Sequence, residues 1–140
     1  MIRHFASIGL NLFYKTTVGD NLARTTAVIR QALDRSDVVV TTGGIGPTAD
    51  DITRDAVAAA TGRELIFSEE LLRQIEIYFA SRGFQLSPSN RRQAYIPAGA
   101  IAVENPVGTA PAFIVDQDQK TLITLPGVPR EMEYLLVNRA

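Results

Sequence analysis

The sequence has no cysteine and a single histidine, His4, among its 140 residues. The lack of cysteine excludes disulfides, thiolate nucleophiles and cysteine-based metal sites. One imidazole cannot form a zinc site that needs several, and a Ser-His-Asp triad would require His4 to lie beside its serine. A metal site in this protein would therefore use oxygen ligands, and Mg²⁺ or another hard divalent cation suits such ligands.

Long apolar runs and an excess of charge of one sign are also missing. No apolar segment approaches the ~18 residues of a membrane span, and the N-terminus lacks the charged-then-apolar order of a signal peptide. Lys and Arg total 14 against 15 Asp and Glu, so the net charge of -1 gives no overall attraction to nucleic acid or anionic lipid. We therefore expect a cytoplasmic protein with no nucleic-acid or membrane partner, folded as one domain over residues 1–140.

The spacing of apolar residues predicts the α/β class. Strands are predicted over 10–18, 37–42, 101–103, 112–116 and 121–125. Helices are predicted over 1–8, from Asp20 or Asn21 to 36, from a Thr53 cap to 61, from Ser68 to the residue before Gly83, over 87–95 and, after Pro129, over 130–138. The strand over 37–42 is apolar enough to be buried, and a helix follows it, which favours a parallel sheet with ligands beyond the carboxyl ends of its strands.

The strand over 37–42 leads into three glycines, Gly43, Gly44 and Gly46, and then into acidic residues at a helix start. Glycine lets the backbone approach a ligand closely, and the free N–H groups at a helix start attract phosphate. Two further loops, 105–111 and 125–131, have similar character, and the latter turns through Gly127 into a proline-initiated helix. Two such helix starts would clamp a diphosphate, whereas ordinary turn chemistry is the alternative for each loop.

The candidate site residues lie in or beside these loops. Thr41 and Thr42 either donate to phosphate or satisfy the end of the strand. Asp51, on the loop that faces the predicted pocket, and Asp20, which follows a predicted strand and can also cap a helix, are the candidate catalytic and metal-binding carboxylates. The candidate phosphate-binding residues are Thr41, Thr42, Gly43, Gly44, Gly46, Pro47, Thr48, Gly108, Thr109, Pro126 and Gly127.

Other charged residues have simpler explanations. Asp55 lies in the first turn of a predicted helix, where a carboxylate stabilises the helix dipole without any ligand. Asn90, Arg91 and Arg92 form a basic, polar cluster that either meets phosphates or is a solvated helix face, and Arg130 is similar.

Five segments closely resemble the N-terminal domain of the CinA family of competence-damage-inducible proteins. They are residues 17–21, 41–55, 90–94, 105–111 and 125–132. That domain belongs to the wider molybdopterin-binding superfamily, with MogA, MoaB and the transferase domains of MoeA and gephyrin. The resemblance covers nearly the whole chain and implies a three-layer α/β/α fold with a mostly parallel sheet and a ligand pocket at the strand ends.

The same resemblance implies a function. CinA-type domains are associated with a divalent-metal-dependent ADP-ribose pyrophosphatase activity that gives AMP and ribose 5-phosphate. In the molybdopterin branch, the positions that match Asp51 and Asp20 are functional aspartates. Two alternatives stay open: a molybdopterin-binding or adenylylating protein of molybdenum cofactor biosynthesis, and a non-catalytic ligand-binding or assembly module. The expected partner is a phosphorylated small molecule, namely ADP-ribose, an AMP-containing nucleotide or molybdopterin.

The sequence departs from the family at its two ends. Family members begin with a further strand and a Gly-Asp-Glu-Leu-type loop, and carry a C-terminal domain for nicotinamide mononucleotide deamidation; this sequence contains neither part. A sheet that lacks its first, interior strand exposes unpaired N–H and C=O groups beside residues 38–42, an arrangement that favours pairing with another chain. We therefore expect a homo-oligomer.

Overall fold

A computed structural model of the protein describes residues 1–139. In chain order the elements are α1 (Ile2–Ser7), α2 (Leu22–Arg35), β1 (Val38–Thr42), α3 (Thr53–Thr61), β2 (Leu65–Phe67), α4 (Glu69–Ser81), a 3₁₀ helix (Pro88–Ala94), β3 (Tyr95–Pro97), β4 (Ile101–Val103), β5 (Ala112–Gln117), β6 (Lys120–Leu125) and α5 (Pro129–Asn138).

The central sheet has four strands in the order β1-β6-β5-β4. β1 and β6 pair in parallel, so the predicted α/β class and a parallel pairing of the strand before the glycine loop are confirmed. The β5–β6 and β4–β5 pairs of this sheet are antiparallel. A two-residue turn joins β5 to β6, with positive φ at Asp118 (51°) and Gln119 (64°), and such a turn can only connect antiparallel neighbours.

Helices cover both faces of this sheet, which confirms the predicted three layers. On one face, Ile29 of α2 and Val57 of α3 pack against Leu122 of β6. On the other face, Phe5 of α1 and Leu135 of α5 pack in a second cluster, which Ile123 of β6 joins. The neighbours Leu122 and Ile123 serve opposite faces because side chains alternate along a strand.

A smaller unit lies beside the main sheet. β2 pairs antiparallel with β3, and Leu71 and Ile75 of α4 pack with Ala94 of the 3₁₀ helix. Neither β2 nor β3 was predicted. The residues of β2 are all apolar and show no alternation, and the predicted helix over 87–95 included Tyr95, the first residue of β3.

The predicted strand over 10–18 is wrong. The segment has no secondary structure and most of it is exposed, Phe13 at 80% and Tyr14 at 53%. Alternating apolar residues form a strand only beside a partner that accepts their hydrogen bonds, and none of the strands within residues 1–139 pairs with this segment. β1 is at an edge of the described sheet, so the expected pairing with another chain stays a prediction.

Helix starts were predicted more accurately. The Asn21 side chain accepts a hydrogen bond from the Arg24 N–H at 2.9 Å, and Ser68 accepts from the Leu71 N–H at 3.2 Å, so both caps are confirmed. The predicted Thr53 cap is wrong, because Thr53 is the first residue of α3 and the helix has no side-chain cap. None of the helices in the described part of the chain is long and apolar enough to cross a membrane.

Candidate phosphate site at the ends of β1 and β6

The carboxyl ends of β1 and β6 lie side by side, with Thr42 opposite Leu125. The loops that follow them therefore start next to each other. The Gly43 N–H donates to the Leu125 carbonyl at 3.0 Å, and a Cβ on Gly127 would lie 2.9 Å from the Gly43 Cα. Pro126, between Leu125 and Gly127, is buried, while Gly127 is exposed. Only a residue without a side chain fits this contact, so two of the three predicted loops do converge.

The glycine loop after β1 is built against the start of α3. Gly43 and Gly44 have φ values of 85° and 72°, which residues with a Cβ rarely adopt. The Gly44 carbonyl accepts a hydrogen bond from the Thr53 N–H at 2.9 Å, and a Cβ on Gly44 would overlap the Thr53 hydroxyl. Pro47, later in the loop, is half-buried. The loop is thus held close to the N–H groups of the first turn of α3.

Asp51 closes the turn that follows this loop. Its Oδ2 accepts hydrogen bonds from the Thr48 N–H at 2.8 Å and the Thr48 hydroxyl at 2.7 Å. Burial by itself would raise the pKa of Asp51, but these bonds, the Gly46 amide and the positive charge of Arg54 outweigh burial and hold it below its usual value. Asp51 is therefore a fixed negative charge at neutral pH, and lowering the pKa of a carboxylate makes it a weaker general base.

Asp20, the second predicted carboxylate, is exposed. No hydrogen bond or ion pair found within residues 1–139 involves it, and Asn21 rather than Asp20 caps α2. The same residues contain no group of three or more His, Asp or Glu side chains that could hold a metal ion. The donor set fits only a cation that takes one carboxylate from the protein and its other ligands from substrate oxygens and water, as Mg²⁺ often does.

The loop over 105–111 joins the site through Glu131 of α5. The Asn105 amide donates to the Ala110 carbonyl at 2.9 Å and to Glu131 Oε2 at 3.0 Å. A Cβ on Gly108 would overlap the Glu131 carboxylate, so this glycine allows loop and helix to approach. Glu131 was not predicted as a site residue, since a glutamate in the first turn of a helix is ordinarily explained by the helix dipole.

Three of the candidate hydroxyls are already bonded within the protein, and that of Thr48 donates to Asp51 as described above. Thr41 donates to the Thr124 hydroxyl at 3.0 Å, across the β1–β6 pair, and the Gln93 amide donates to the Thr109 hydroxyl at 2.9 Å. Thr42, at the end of β1, is exposed. Thr42 is thus better placed than Thr41 or Thr48 to donate to a ligand, whereas the Thr109 hydroxyl only accepts from Gln93 and keeps its own O–H to donate.

Arg54 is a site residue that the sequence did not reveal. It is only 2% exposed, and its guanidinium donates to the Ile45 carbonyl in the glycine loop. An arginine in the first turn of a helix is usually exposed, so nothing in the residue pattern indicated burial.

Glu131 provides a pH-dependent test of the packing between α5 and the 105–111 loop. Burial raises the pKa of Glu131, although the Asn105 hydrogen bond and the charge of Arg130 oppose this. The folded state therefore binds this proton more tightly than the unfolded state, and stability falls as the pH rises through the raised pKa. We expect the free energy of unfolding of wild type to fall relative to Glu131→Gln between about pH 4 and pH 7, measured by urea denaturation.

The opposite pH dependence is expected for Asp51, whose pKa is depressed. The contribution of ionised Asp51 to the free energy of unfolding is present at neutral pH and is lost on acidification, so wild type should lose stability relative to Asp51→Asn as the pH falls.

For Glu131, a constant difference in the free energy of unfolding between wild type and Glu131→Gln from about pH 4 to pH 7 would contradict the prediction. It would show that Glu131 ionises equally in the folded and unfolded states.

Comparison with known proteins identifies the family. Residues 1–138 match the family described as "Probable molybdopterin binding domain". The crystal structure of CinA from Thermoplasma acidophilum superposes with a TM-score of 0.87 at 38% sequence identity, covering 96% of this chain and 79% of that one. The chain belongs to the CinA family. The resemblance seen in the sequence is thereby confirmed.

CinA-family relatives in other organisms are longer. A CinA-like protein of Kosmotoga olearia is 44% identical over 131 residues, which are 94% of this chain and 32% of the relative. A relative from Caldicellulosiruptor saccharolyticus, named for competence-damage induction, is 50% identical over 131 residues and is likewise covered to 32%. The chain spans about a third of the length of these relatives. The tungsten cofactor synthesizing protein MoaB from Pyrococcus furiosus, at 19% identity, TM-score 0.54 and coverage of 97% of this chain and 72% of that one, shows the shared fold.

Proposed function

We propose that this CinA-family domain binds a nucleotide diphosphate sugar, ADP-ribose in the first place, and hydrolyses its diphosphate with the help of a divalent cation. The observation that carries the proposal is the contact between Gly43 and Gly127. It brings two glycine turns, each followed by a helix, to one edge of the sheet, where neighbouring phosphates of a diphosphate would be bound.

The backbone supplies the donors for such a ligand. α3 and α5 both begin without a side-chain cap. The Thr53 N–H already donates to the Gly44 carbonyl and Pro129 has no N–H, so the donors that remain in the two first turns are the N–H groups of Arg54 and Asp55 and those of Arg130 and Glu131. Free N–H groups and the positive end of the helix dipole bind phosphate at many helix starts. The glycines contribute by letting the protein pack closely, because the space that a Cβ would take at Gly44 and Gly127 is occupied by Thr53 and Gly43, and this packing brings the two helix starts together.

The ionised Asp51 explains why a cation would be needed. A carboxylate beside a diphosphate repels it unless a positive charge lies between them. A divalent cation there would neutralise the diphosphate and lower the pKa of water. In the proposed reaction the oxygen of a water molecule would attack one phosphorus and the P–O bond to the bridging oxygen would break. The bridging oxygen would leave with the other phosphate and the water would lose a proton to the solvent, which gives AMP and ribose 5-phosphate. Asp51 contributes its charge, and no contact favours a role for Asp20, so the proposal rests on Asp51.

An NMR titration tests the placement of the ligand. In the presence of Mg²⁺, ADP-ribose or AMP is expected to shift or broaden the backbone amides of Gly43, Gly44, Gly46 and Gly127. The amides of Gly62 and Gly83, which follow the ends of α3 and α4, serve as internal controls. Hydrolysis should require the cation and stop when a chelator is added. Shifts confined to other surfaces would contradict the placement.

The titration also separates the rival functions. Binding of ADP-ribose at these glycines without turnover would favour a non-catalytic ligand-binding module. The family description favours molybdopterin as the alternative ligand, and its phosphate would use the same loops. Tighter binding of molybdopterin than of ADP-ribose at the same amides would support the cofactor-biosynthesis alternative.

A further inference from the structure

A second cavity lies outside the loops described above. It has a volume of about 230 Å³ and is lined by Arg54, Asp55, Leu65, Arg92 and Tyr95. These residues come from the first turn of α3, from β2 and β3, and from the 3₁₀ helix. None of the glycines or threonines of the candidate phosphate site lines it.

Arg54 is a buried cation that forms no ion pair with any carboxylate in residues 1–139. It is 2% exposed, and the hydrogen bond found for its guanidinium within residues 1–139 goes to the Ile45 carbonyl, although a guanidinium has five N–H donors. Neither of the ion pairs found in the same residues includes Arg54. A buried charge with no carboxylate at ion-pair distance is only partly compensated, here by the more distant Asp55 and Asp51, and an anion bound in the cavity would lower the remaining cost.

The charge of Arg54 persists at neutral pH. Burial lowers the pKa of Arg54 to about 10; the charge of Arg92 acts in the same direction, and those of Asp55 and Asp51 oppose it. This pKa is still well above 7, so the guanidinium stays protonated and can donate to an anion.

Arg92 adds a second positive charge at the mouth of the cavity. It lies 3.9 Å from Asp55 Oδ2, and the two side chains are 42% and 39% exposed, so the pair is loose and open to competition. Arg54 and Arg92 against Asp55 give the cavity a net charge of +1, which suits one anionic group. Tyr95 provides a fixed wall, because its ring packs against Phe67 with centroids 5.3 Å apart.

We propose that this cavity is a binding site for a single oxyanion group, a phosphate or a carboxylate of a small molecule, held between Arg54 and Arg92. Leu65 and Tyr95 would contact the organic part of that molecule. Arg54 is shared with the candidate phosphate site, since its guanidinium also donates to the Ile45 carbonyl of the glycine loop. The other lining residues differ from those of the glycine loops, so the site does not depend on the proposed pyrophosphatase activity.

The experiment titrates the protein with inorganic phosphate, acetate and AMP at constant ionic strength and follows the amides of Leu65, Arg92 and Tyr95 by NMR. We expect saturable shifts at these three amides with at least one probe. Arg92→Gln is expected to weaken binding about tenfold or more, the scale of a hydrogen bond to a charged group. Arg91→Gln is the matched control, since it removes the same charge one residue away. Arg91 does not line the cavity, and its guanidinium lies instead over the Phe67 ring, 4.7 Å from the ring centroid.

Each probe identifies part of the ligand. Binding of phosphate but not acetate would assign the site to phosphate groups, and binding of both would assign it to oxyanions in general. If AMP binds more tightly than phosphate, the natural ligand also has an organic part that contacts Leu65 and Tyr95. Arg54→Lys, which keeps the buried charge but loses the planar fork of donors, should weaken binding in a folded protein. The proposal is overturned if no probe shifts the three amides or if Arg91→Gln weakens binding as much as Arg92→Gln does. Shifts at Gly43 and Gly127 alone would leave the proposed function standing and this site refuted.

Discussion

Asp51→Asn is expected to lower the rate of ADP-ribose hydrolysis by about 100-fold or more, equivalent to about 2.7 kcal/mol of transition-state stabilisation. The substitution removes the negative charge that would hold a divalent cation at the diphosphate. The asparagine oxygen can still accept the hydrogen bonds that Thr48 now donates to Asp51 Oδ2 at 2.8 and 2.7 Å, so the turn should persist. Steady-state rates at saturating Mg²⁺ measure the effect.

Asp50→Asn is the matched control. It removes the same charge from the neighbouring residue, which is exposed and in none of the hydrogen bonds or ion pairs found among residues 1–139. Its rate should stay close to that of wild type. If both variants lose activity equally, the effect is a general change in surface charge, and if Asp51→Asn keeps full activity, Asp51 has no part in the mechanism.

The glycine loop could be predicted because its chemistry is local. A strand, glycines with positive φ and an acidic helix start are all neighbours in the sequence, so residues 38–55 alone define the turn. The Asn21 and Ser68 caps were predictable for the same reason, since each bonds an N–H only three residues ahead.

What the sequence did not reveal depends on distant partners. Segment 10–18 alternates like a strand, yet pairing decides whether a strand forms, and no described strand lies beside it. The sequence left two roles open for Thr41, a donor to phosphate or a group that satisfies the strand end, and the bond of its hydroxyl to Thr124, 83 positions away, favours the second. The burial of Arg54 follows from the packing of α3 under the glycine loop, which no local pattern encodes. The convergence of the loops that follow β1 and β6, in contrast, was predictable, because the carboxyl ends of parallel strands meet at one edge of a sheet.

Gly44→Ala is expected to destabilise the fold by about 2–5 kcal/mol. The left-handed conformation of Gly44, with φ of 72°, costs a residue with a Cβ about 1–2 kcal/mol. The new methyl would also overlap the Thr53 hydroxyl and lie 2.9 Å from the Thr53 Cβ, and overpacking of this kind costs about 1–3 kcal/mol. Thr53 cannot easily turn away, because a β-branched side chain has few rotamers in a helix. Urea denaturation measures the loss.

Gly62→Ala separates the two contributions. Gly62 has a similar φ of 65°, but a Cβ there meets nothing within 4 Å, so this variant should lose only the backbone share of about 1–2 kcal/mol. In the Gly44→Ala background, Thr53→Ala removes the overlapping hydroxyl and should restore part of the stability, whereas a double-mutant cycle without coupling would show that the two residues do not clash. A Gly44→Ala variant no less stable than Gly62→Ala would place the glycine loop away from α3. The phosphate site proposed between α3 and α5 would then lose its first helix start, because the contact of Gly44 with Thr53 is what holds the loop against that helix.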